Sequence, residues 1–559
     1  MSWEEFEKYP HTLVGAIEKW AEDNPNHNAM IFFNTKAEVS YREFSDAINM
    51  MAFKLYNMGL RKGDICVASL PNTYEHFIIG YACVKLGIMW CPLDLSLKPP
   101  EIMISFSLLR NRIKMYCHLG KTQYQNYNII GSVIHQNYPW LKYVIQFGYM
   151  NENYTDGLIN GHKLIKEAEY EYKEALNNKN LLKEFENECE KVGEKDPILL
   201  IFTMGTTAFP KPTMLTNLSI TCQNMCLAKA FNITGDDRMM VNMPFAFIGG
   251  STEQLMTILY VGGTAIILHR FEAEKSLLAI QDYKITCLGQ IPASYSMEWN
   301  LHDYNNFDLS SLKHAIYSGQ SVDMGFLEKL IKMAPRIGTG LGLTETSGLC
   351  TYTPEEATIE EILNGLGHPF AIFPATIRAK MNENGFAGDV LPDGEIGEIC
   401  FEGPQTFFGY LNYEVATRAV LSYDAILYTG DMGYKDEKGI HLAGRKKYMI
   451  NPKGYRVFQP EIEDFISEIP EVENVGVLGA KHTIFTEGIV AYIKIKDNAD
   501  LTLSEIDEHC KGMASYKRPS LVVFLDEFPL TKNNRPDYII LQRRLDNDIK
   551  NARVKGKWD

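Results

Sequence analysis

A short run of threonine, glycine and lysine residues is the stretch best suited to hold a polyphosphate. It spans residues 203–216, reads TMGTTAFPKPTMLT, and follows the apolar strand predicted over PILLIF. Threonine hydroxyls can bond phosphate oxygens, glycine lets the backbone come close to a ligand, and lysine adds a fixed positive charge. The candidate phosphate-binding residues are Thr203, Gly205, Thr206, Thr207 and Lys211. This is not a Walker A loop, because prolines flank Lys211 on both sides.

The same stretch, extended to Asn217, resembles the signature TSGTTGxPKGVxLTH of the adenylate-forming superfamily. That superfamily includes acyl-CoA synthetases, luciferases and the adenylation domains of peptide synthetases. The sequence departs from the signature at Met204 for serine, at Ala208 and Pro212 for glycines, and at Asn217 for histidine. The resemblance implies that ATP is a substrate and that an acyl-adenylate is the intermediate.

Two further segments resemble the family's motifs for the phosphates and the adenine. GLGLTET, residues 340–346, resembles YGxTE, which assigns Thr344 to the phosphates and Glu345 to Mg²⁺. A hard dication is usually held jointly by one or two carboxylates and the substrate phosphates, so one glutamate suffices. YSGQS resembles the strand end that surrounds the base. The resemblance thus places near the adenine Gly319, Gln320, Ser321, Gly340, Leu341 and Gly342, with Leu341 in place of an aromatic residue.

Two later segments resemble the family's motifs for binding the ribose and for the loop that faces the thiol of coenzyme A. YTGDMGYKDEKG resembles YxTGDxxxxDxxG, in which Asp431 would accept hydrogen bonds from both ribose hydroxyls. HLAGRKKYMINPKGYRVFQPEIE resembles GRxxxxIxxxGxxVxPxEIE, which assigns Arg445 to the ribose and Lys447 to a hinge. In relatives the following loop faces the tunnel for the thiol of coenzyme A. Its residues here are Lys453, Gly454 and Tyr455.

A lysine that relatives carry near the C-terminus, within PxTxxGK, is missing. The corresponding segment is PLTKNNRPD, which aligns Arg535 with that lysine. Arginine stays charged and can make a forked contact to a carboxylate or phosphate, although it does not replace lysine in shape. We expect Arg535 to act as the substitute clamp, with Lys532 as the second candidate and a plain surface loop as the alternative.

The pocket for the acid is predicted around MPFAFIGG, where the family often has PxFHxxG. Mostly apolar pockets bind apolar bodies, so this wall favours an alicyclic, aromatic or medium-chain acid. Core packing explains each aromatic residue equally well. The predicted acyl residues are Phe245, Ala246, Phe247 and Gly249, with Tyr317.

The elements that position these motifs alternate between strands and helices. A helix is predicted from Ser251, as N-cap, through STEQLMTILY to a break at Gly262, before the strand TAIIL. KHAIYSG predicts a strand, Asp323 a helix cap, and Pro335 the end of that helix before RIGTG. Such alternation indicates largely parallel, buried sheets.

The resemblance runs from YREFSDA to YKRPSLVVFLDEFPLT and so covers almost the whole chain. It implies an α/β multidomain fold with a large N-terminal AMP-binding domain of α/β subdomains plus a β-barrel-like portion, and a small mobile α+β lid. A chain of 559 residues is also too long for one hydrophobic core. We place the domains at residues 1–446 and 447–559.

Composition excludes several classes of partner. The formal net charge of −15 argues against nucleic acid or an anionic membrane as a ligand. The cysteines lack CxxC pairs, and the N-terminus shows neither the basic start nor the apolar core of a secretory signal, so we expect a cytoplasmic protein. The most apolar stretch, residues 77–92, is interrupted by Lys85 and predicts a buried helix followed by a strand, not a membrane span.

Together these features predict an acyl-CoA ligase that uses ATP, Mg²⁺ and CoA, as in fatty acid metabolism. A carboxylate is a poor acylating agent, so it would first be joined to AMP with loss of pyrophosphate and then passed to the thiol. Three alternatives stay open: a ligase that loads a carrier protein, a luciferase-like oxygenase, and a nucleotide-binding homologue that has lost adenylation.

Overall fold

Two large sheets of mostly parallel strands form the centre of the N-terminal part. The structure, a computed structural model, describes residues 1–122, 126–148, 155, 157–204, 210–320, 322–445, 449–453, 455, 457–497, 499–530 and 536–558. Strands that are buried on both faces read as continuous apolar runs, as in Ile65–Ser69. The predicted α/β class is confirmed.

The first sheet carries the predicted phosphate loop at one side. Its described strands, in spatial order, are Gly409–Tyr410, Pro210–Thr216, Pro197–Met204, Met89–Pro92, Ile65–Ser69, Ile113–Leu119, Tyr143–Phe147 and Ile159–Asn160. Strands Pro197–Met204 and Pro210–Thr216 are antiparallel, and Thr203 pairs with Lys211. The predicted helix and strand within residues 77–92 are confirmed, and Gly80 lies so close to Trp90 that a Cβ there would be 2.3 Å from the indole.

The second sheet supplies the adenine-side and acyl-side segments. Its described strands, in spatial order, are Arg336–Gly338, His314–Tyr317, Cys287–Gln290, Arg238–Val241, Thr264–Ile267, Asn28–Phe32 and Glu38–Ser40. Asp323 caps helix Met324–Leu330 by accepting the Phe326 N–H at 2.9 Å, as predicted, but the helix ends at Leu330 and does not reach the predicted end at Pro335. The helix predicted to begin at Ser251 begins earlier, as a π-helix over Gly249–Met256. Ser251 therefore donates its hydroxyl to the Phe247 carbonyl from inside the helix and is not its N-cap.

The later sheets are an antiparallel one and, in the C-terminal region, a mixed one in which Thr486–Ile495 and Leu521–Phe524 are parallel. Ala375–Arg378, Gly397–Phe401, Leu427–Asp436 and Gly439–Arg445 make the sheet that corresponds to the expected barrel-like portion. In the C-terminal region, residues 449–558, strands Val472–His482, Thr486–Ile495 and Leu521–Phe524 pack against helices, and the apolar clusters there are built from residues of this region. The predicted boundary between residues 446 and 447 lies outside the described residues and stays a prediction.

Helices cover the faces of the sheets, and short pairs of strands complete the fold. The paired short strands are Gly342–Leu343 with Gly348–Leu349 and Met449–Ile450 with Val457–Phe458. The remaining described α-helices are Trp3–Phe6, Leu13–Asp23, Tyr41–Asn57, Tyr74–Lys85, Pro99–Leu109, Tyr127–Asn137, Gly161–Ala175, Lys179–Cys189, Asn217–Ala230, Thr257–Tyr260, Ala273–Tyr283, Pro292–Trp299, Ile359–Asn364, Glu414–Arg418, Gln459–Ser467, Leu503–Cys510 and Tyr538–Val554. Short 3-10 helices are Arg110–Arg112, Tyr304–Asn306, Thr344–Thr346 and Ser515–Lys517. Among the described residues, no helix combines the length and apolar character needed to cross a bilayer.

Candidate nucleotide and acyl site

Segments from both sheets and from the C-terminal region surround one cavity of about 380 Å³. Most of its wall is apolar, with side chains such as Met243, Phe271 and Met297. The predicted site residues that line it are Thr203, Phe247, Gly249, Gly319, Gly342, Thr344, Glu345, Lys453 and Tyr455. Residues from five separate sequence motifs thus meet at one place.

Beside Glu345, which lines this cavity, lie the Tyr410 ring and the Lys211 ammonium, two groups that are not part of the lining itself. The hydroxyl of Tyr410 donates a hydrogen bond of 2.5 Å to Oε1 of Glu345. The Lys211 ammonium lies 4.9 Å from the centre of the Tyr410 ring. Burial lowers the pKa of Lys211, and the charge of Glu345 opposes that shift. Sequence reasoning missed Tyr410, one of 30 tyrosines in the chain and outside every quoted motif.

The turn over residues 340–342 owes its shape to close backbone packing. A Cβ at Gly340 would lie 1.8 Å from the Thr351 carbonyl oxygen, so no larger residue fits there. Leu341 donates its N–H to Thr351 Oγ1 at 2.8 Å, and its side chain is buried in the core. Gly342 borders the cavity. The backbone N–H of Leu341 therefore helps to fix this turn, whereas its side chain packs in the core.

Asp431 lies on strand Leu427–Asp436, between strands Gly397–Phe401 and Gly439–Arg445. It is only 2% exposed, and it pairs with Arg445 across the antiparallel ladder. The charge of Asp431 adds to the effect of burial in raising the pKa of Cys350, whose N–H bonds the Leu341 carbonyl at 2.7 Å. Asp431 is thus close to residues 340–342, while the Arg445 side chain lies outside the described part of the chain.

The adenine-side strand end is tied to the C-terminal region. Gly319 has a φ of +88°, a backbone conformation that glycine adopts without strain. Gln320 donates a hydrogen bond of 2.5 Å from Nε2 to the Asn451 carbonyl. This contact joins the end of strand His314–Tyr317 to the loop that carries Lys453.

The predicted acyl residues divide between the cavity and the core. Phe247 meets the Tyr455 ring edge-to-face at 5.1 Å, and Tyr455 stacks on Tyr516 at 3.9 Å. Phe245 instead stacks on Trp90 at 4.4 Å inside the core. Tyr317 is buried, its ring 5.5 Å from Phe326. Of the five predicted residues, Phe247 and Gly249 line the main cavity, whereas Ala246 and Phe245 border a second one.

That second cavity has a volume of about 800 Å³ and adjoins the first at Pro244. Its walls carry four cationic side chains together with the carboxylates of Asp94 and Glu272. The cations are Lys98, Lys121, Arg270 and Arg518. Its charge makes it suited to an anionic ligand larger than a single phosphate.

Lys453 closes the main cavity from the C-terminal side. It has a φ of +54°, and its ammonium lies 4.2 Å from the centre of the Phe485 ring. Burial, followed by the charge of Arg518, lowers the pKa of Lys453. Some predicted site residues lie outside the described part of the chain and stay predictions: Gly205, Thr206, Thr207, Ser321, Lys447, Gly454, Lys532 and Arg535.

The described residues contain no group of three or more His, Cys, Asp or Glu side chains placed to hold a metal ion. Glu345 does offer a carboxylate beside the predicted phosphate loop, with Thr344 next to it. Such a donor set fits a Mg²⁺ that is bound jointly by protein and triphosphate, since Mg²⁺ usually keeps waters and substrate oxygens as ligands.

Comparison with known proteins gives consistent matches. Residues 17–411 match the family model described as AMP-binding enzyme, and residues 461–535 match that of the AMP-binding enzyme C-terminal domain. The human mitochondrial medium-chain acyl-CoA ligase ACSF2 is 25% identical over 559 residues, covering 96% of this chain and 88% of the relative. Indoleacetate–CoA ligase of Aromatoleum aromaticum is 27% identical, covering 92% and 94%. The structure of amide bond synthetase McbA from Marinactinospora thermotolerans superposes with a TM-score of 0.77 at 19% identity, covering 95% and 99%.

Proposed function

This chain belongs to the AMP-binding enzyme family, and from that premise we propose that it is an ATP-dependent acyl-CoA ligase. It would convert a carboxylic acid, ATP and CoA into acyl-CoA, AMP and pyrophosphate. One observation carries the proposal: the phosphate-side residues Thr203 and Glu345 and the thiol-loop residues Lys453 and Tyr455 line the same largely apolar cavity.

The first half-reaction joins the acid to AMP. The carboxylate oxygen attacks the α-phosphorus of ATP, and the bond to pyrophosphate breaks. Such a displacement needs positioning and positive charge more than acid–base groups. Lys211 and Thr344 would hold the phosphates, and Asp431 would fix the ribose. Mg²⁺ held by Glu345 and the phosphates would supply further positive charge.

The second half-reaction transfers the acyl group to the thiol. The sulfur of CoA attacks the acyl carbon, AMP leaves, and a thioester forms. Lys453 and Tyr455 line the cavity, which supports the role in guiding the thiol that the resemblance implies for their loop. The second cavity, with Arg518 and Lys98 on its walls, would receive the phosphates of CoA. We propose that residues 447–559 turn about Lys447 between the two steps.

The cavity wall supports an apolar acid of moderate size. Phe247, Ile248 and Met297 offer contacts to an alicyclic, aromatic or medium-chain body, while Glu345 and Thr344 mark the reactive end. The relatives named above are ligases of medium-chain acids and of indoleacetate. We propose an acid within that range of sizes as the substrate.

The test is incubation with ATP, Mg²⁺, CoA and a panel of acids, with AMP and acyl-CoA measured together. The ligase proposal predicts AMP release that needs both CoA and particular acids, and that Lys211→Ala abolishes. Acid-dependent pyrophosphate exchange without acyl-CoA would reject CoA as the acceptor and favour a carrier protein. Nucleotide binding with no turnover on any acid would instead favour a homologue that has lost adenylation.

A further inference from the structure

A second carboxylate, Glu253, lines the main cavity together with the apolar acyl wall. It lies on the π-helix Gly249–Met256, and its N–H bonds the Ile248 carbonyl at 2.9 Å. It also borders a small cavity of about 30 Å³ next to the main one. No sequence motif marked this residue, and the reaction described above does not use it.

One oxygen of Glu253 has a structural contact and the other does not. Oε1 accepts the Leu349 N–H at 2.8 Å. Oε2 lies 3.9 Å from the position that a Cβ on Gly249 would occupy, and Gly249 itself lines the main cavity. Within the described part of the chain, Oε2 has no hydrogen-bond partner. It is therefore an acceptor that a ligand in the cavity can use.

Removing a carboxyl group from water at this position costs free energy of folding unless hydrogen bonds satisfy both of its oxygens. Burial raises the pKa of Glu253 to about 7, and the Leu349 N–H opposes that shift. A glutamine would satisfy the Leu349 N–H equally well, so that contact alone does not account for a carboxyl group. Polar groups that leave water are nearly always hydrogen-bonded, so an acid that displaces water from this cavity should offer Oε2 a donor in its place.

On the basis of the proposed ligase function, we infer that Glu253 is a specificity residue for the acid. Its free oxygen accepts a hydrogen bond from a hydroxyl, phenol or N–H group on the acyl body. The substrates that this cavity prefers are therefore largely apolar carboxylic acids that carry one such donor away from the carboxylate. A plain alkyl or aryl acid would displace water from Oε2 without offering it a donor.

Sets of acids that differ only in the donor test this inference. They are phenylpropanoate with its para-hydroxy and para-methoxy derivatives, and octanoate with its omega-hydroxy derivative. For the wild type we expect kcat/KM for acyl-CoA formation to be at least about tenfold higher for the hydroxy acids, since a site built to bond a donor rejects analogues that lack it.

Glu253→Gln is the informative variant, and Glu298→Gln is its matched control. The introduced amide can keep its oxygen on the Leu349 N–H and then presents a donor, which the hydroxyl and the methoxy oxygen can both accept, so the preference of at least about tenfold for the hydroxy over the methoxy acid should be lost. Glu298 is a buried glutamate outside the lining of the main cavity, and its variant should keep the wild-type preference.

The possible results distinguish a failure of the role inferred for Glu253 from a failure of the ligase proposal. Wild-type turnover of the parent acids without a preference for hydroxy acids would overturn the inference and leave the ligase function standing. An unchanged preference in Glu253→Gln would overturn it as well. Absence of acyl-CoA formation with every acid would reject both the ligase function and the role of Glu253.

Discussion

The Lys517 ammonium lies 3.0 Å from Oε1 of Glu101, which joins the C-terminal region to the N-terminal part through a buried ion pair. Glu461, also in the C-terminal region, accepts from the same ammonium at 2.6 Å. Burial acts to lower the pKa of Lys517, but the two carboxylates outweigh it and raise that pKa. This contact belongs to the arrangement in which Lys453 and Tyr455 line the cavity.

Lys517→Met should impair the thiol step more than adenylation. Removing one partner of a buried pair costs on the order of 3–5 kcal/mol, because the remaining carboxylates stay buried without a counter-charge. We expect acyl-CoA formation to fall at least about tenfold, while acid-dependent pyrophosphate exchange changes by less than about threefold.

Lys481→Met is the control for this experiment. Lys481 and Asp323 also join the two parts, at 3.3 Å, but both side chains are exposed, and such pairs contribute little. Equal losses of both half-reactions in Lys517→Met would contradict a role confined to the thiol-step arrangement.

Tyr410→Phe should weaken the use of Mg²⁺. The variant keeps the ring beside Lys211 but removes the hydroxyl that bonds Glu345, so the carboxylate loses its orientation. We expect the Mg²⁺ concentration for half-maximal pyrophosphate exchange to rise by about tenfold or more, as for loss of a residue that orients a metal ligand. Tyr423→Phe, at an exposed tyrosine, should leave that concentration unchanged; a similar rise there would count against the explanation.

Lys98→Gln should weaken CoA binding alone. Lys98 lies on the wall of the second cavity, where its charge would attract the phosphates of CoA. We expect KM for CoA to rise several-fold relative to the wild type at low salt and by less at high salt, where screening weakens this attraction in both proteins, with pyrophosphate exchange unaltered. Steady-state kinetics against CoA and against ATP distinguish the two substrates. A selective rise in KM for ATP would show that this cavity serves the nucleotide.

Glu298→Gln should change how stability depends on pH. Burial raises the pKa of Glu298 to about 8, and the Ser276 hydroxyl and the Gln290 side chain, which donates at 2.7 Å, oppose that shift. As pH rises from 4.5 toward 8, the unfolded chain loses this proton while the folded chain keeps it, so the free energy of unfolding falls.

The glutamine variant lacks this titration. Relative to the wild type it should gain about 2–3 kcal/mol of stability between pH 6 and pH 8, since one pKa unit corresponds to about 1.4 kcal/mol. Urea unfolding of both proteins at the two pH values measures the difference in their free energies of unfolding. The contributions of the other titratable groups are the same in both proteins and cancel in that difference. If the difference in free energy of unfolding between the two proteins stays constant with pH, Glu298 is already ionised at pH 6.

Sequence alone determined the family, the fold class and the order of the chemical motifs. Those properties depend on residue types at fixed local spacing, such as the loop 203–211 and the turn GLGLTET. The helix cap at Asp323 could likewise be predicted from the sequence, because its acceptor and the Phe326 N–H are only three residues apart.

Tertiary structure decided which of these side chains face a common cavity. Phe245 and Phe247 are two residues apart, yet one stacks on Trp90 in the core and the other meets Tyr455 at the site. The contacts of Tyr410, Glu253 and Lys517 join residues that are 65, 96 and 416 positions apart. Local spacing carries no information on such pairs, because they form only when separate elements pack together.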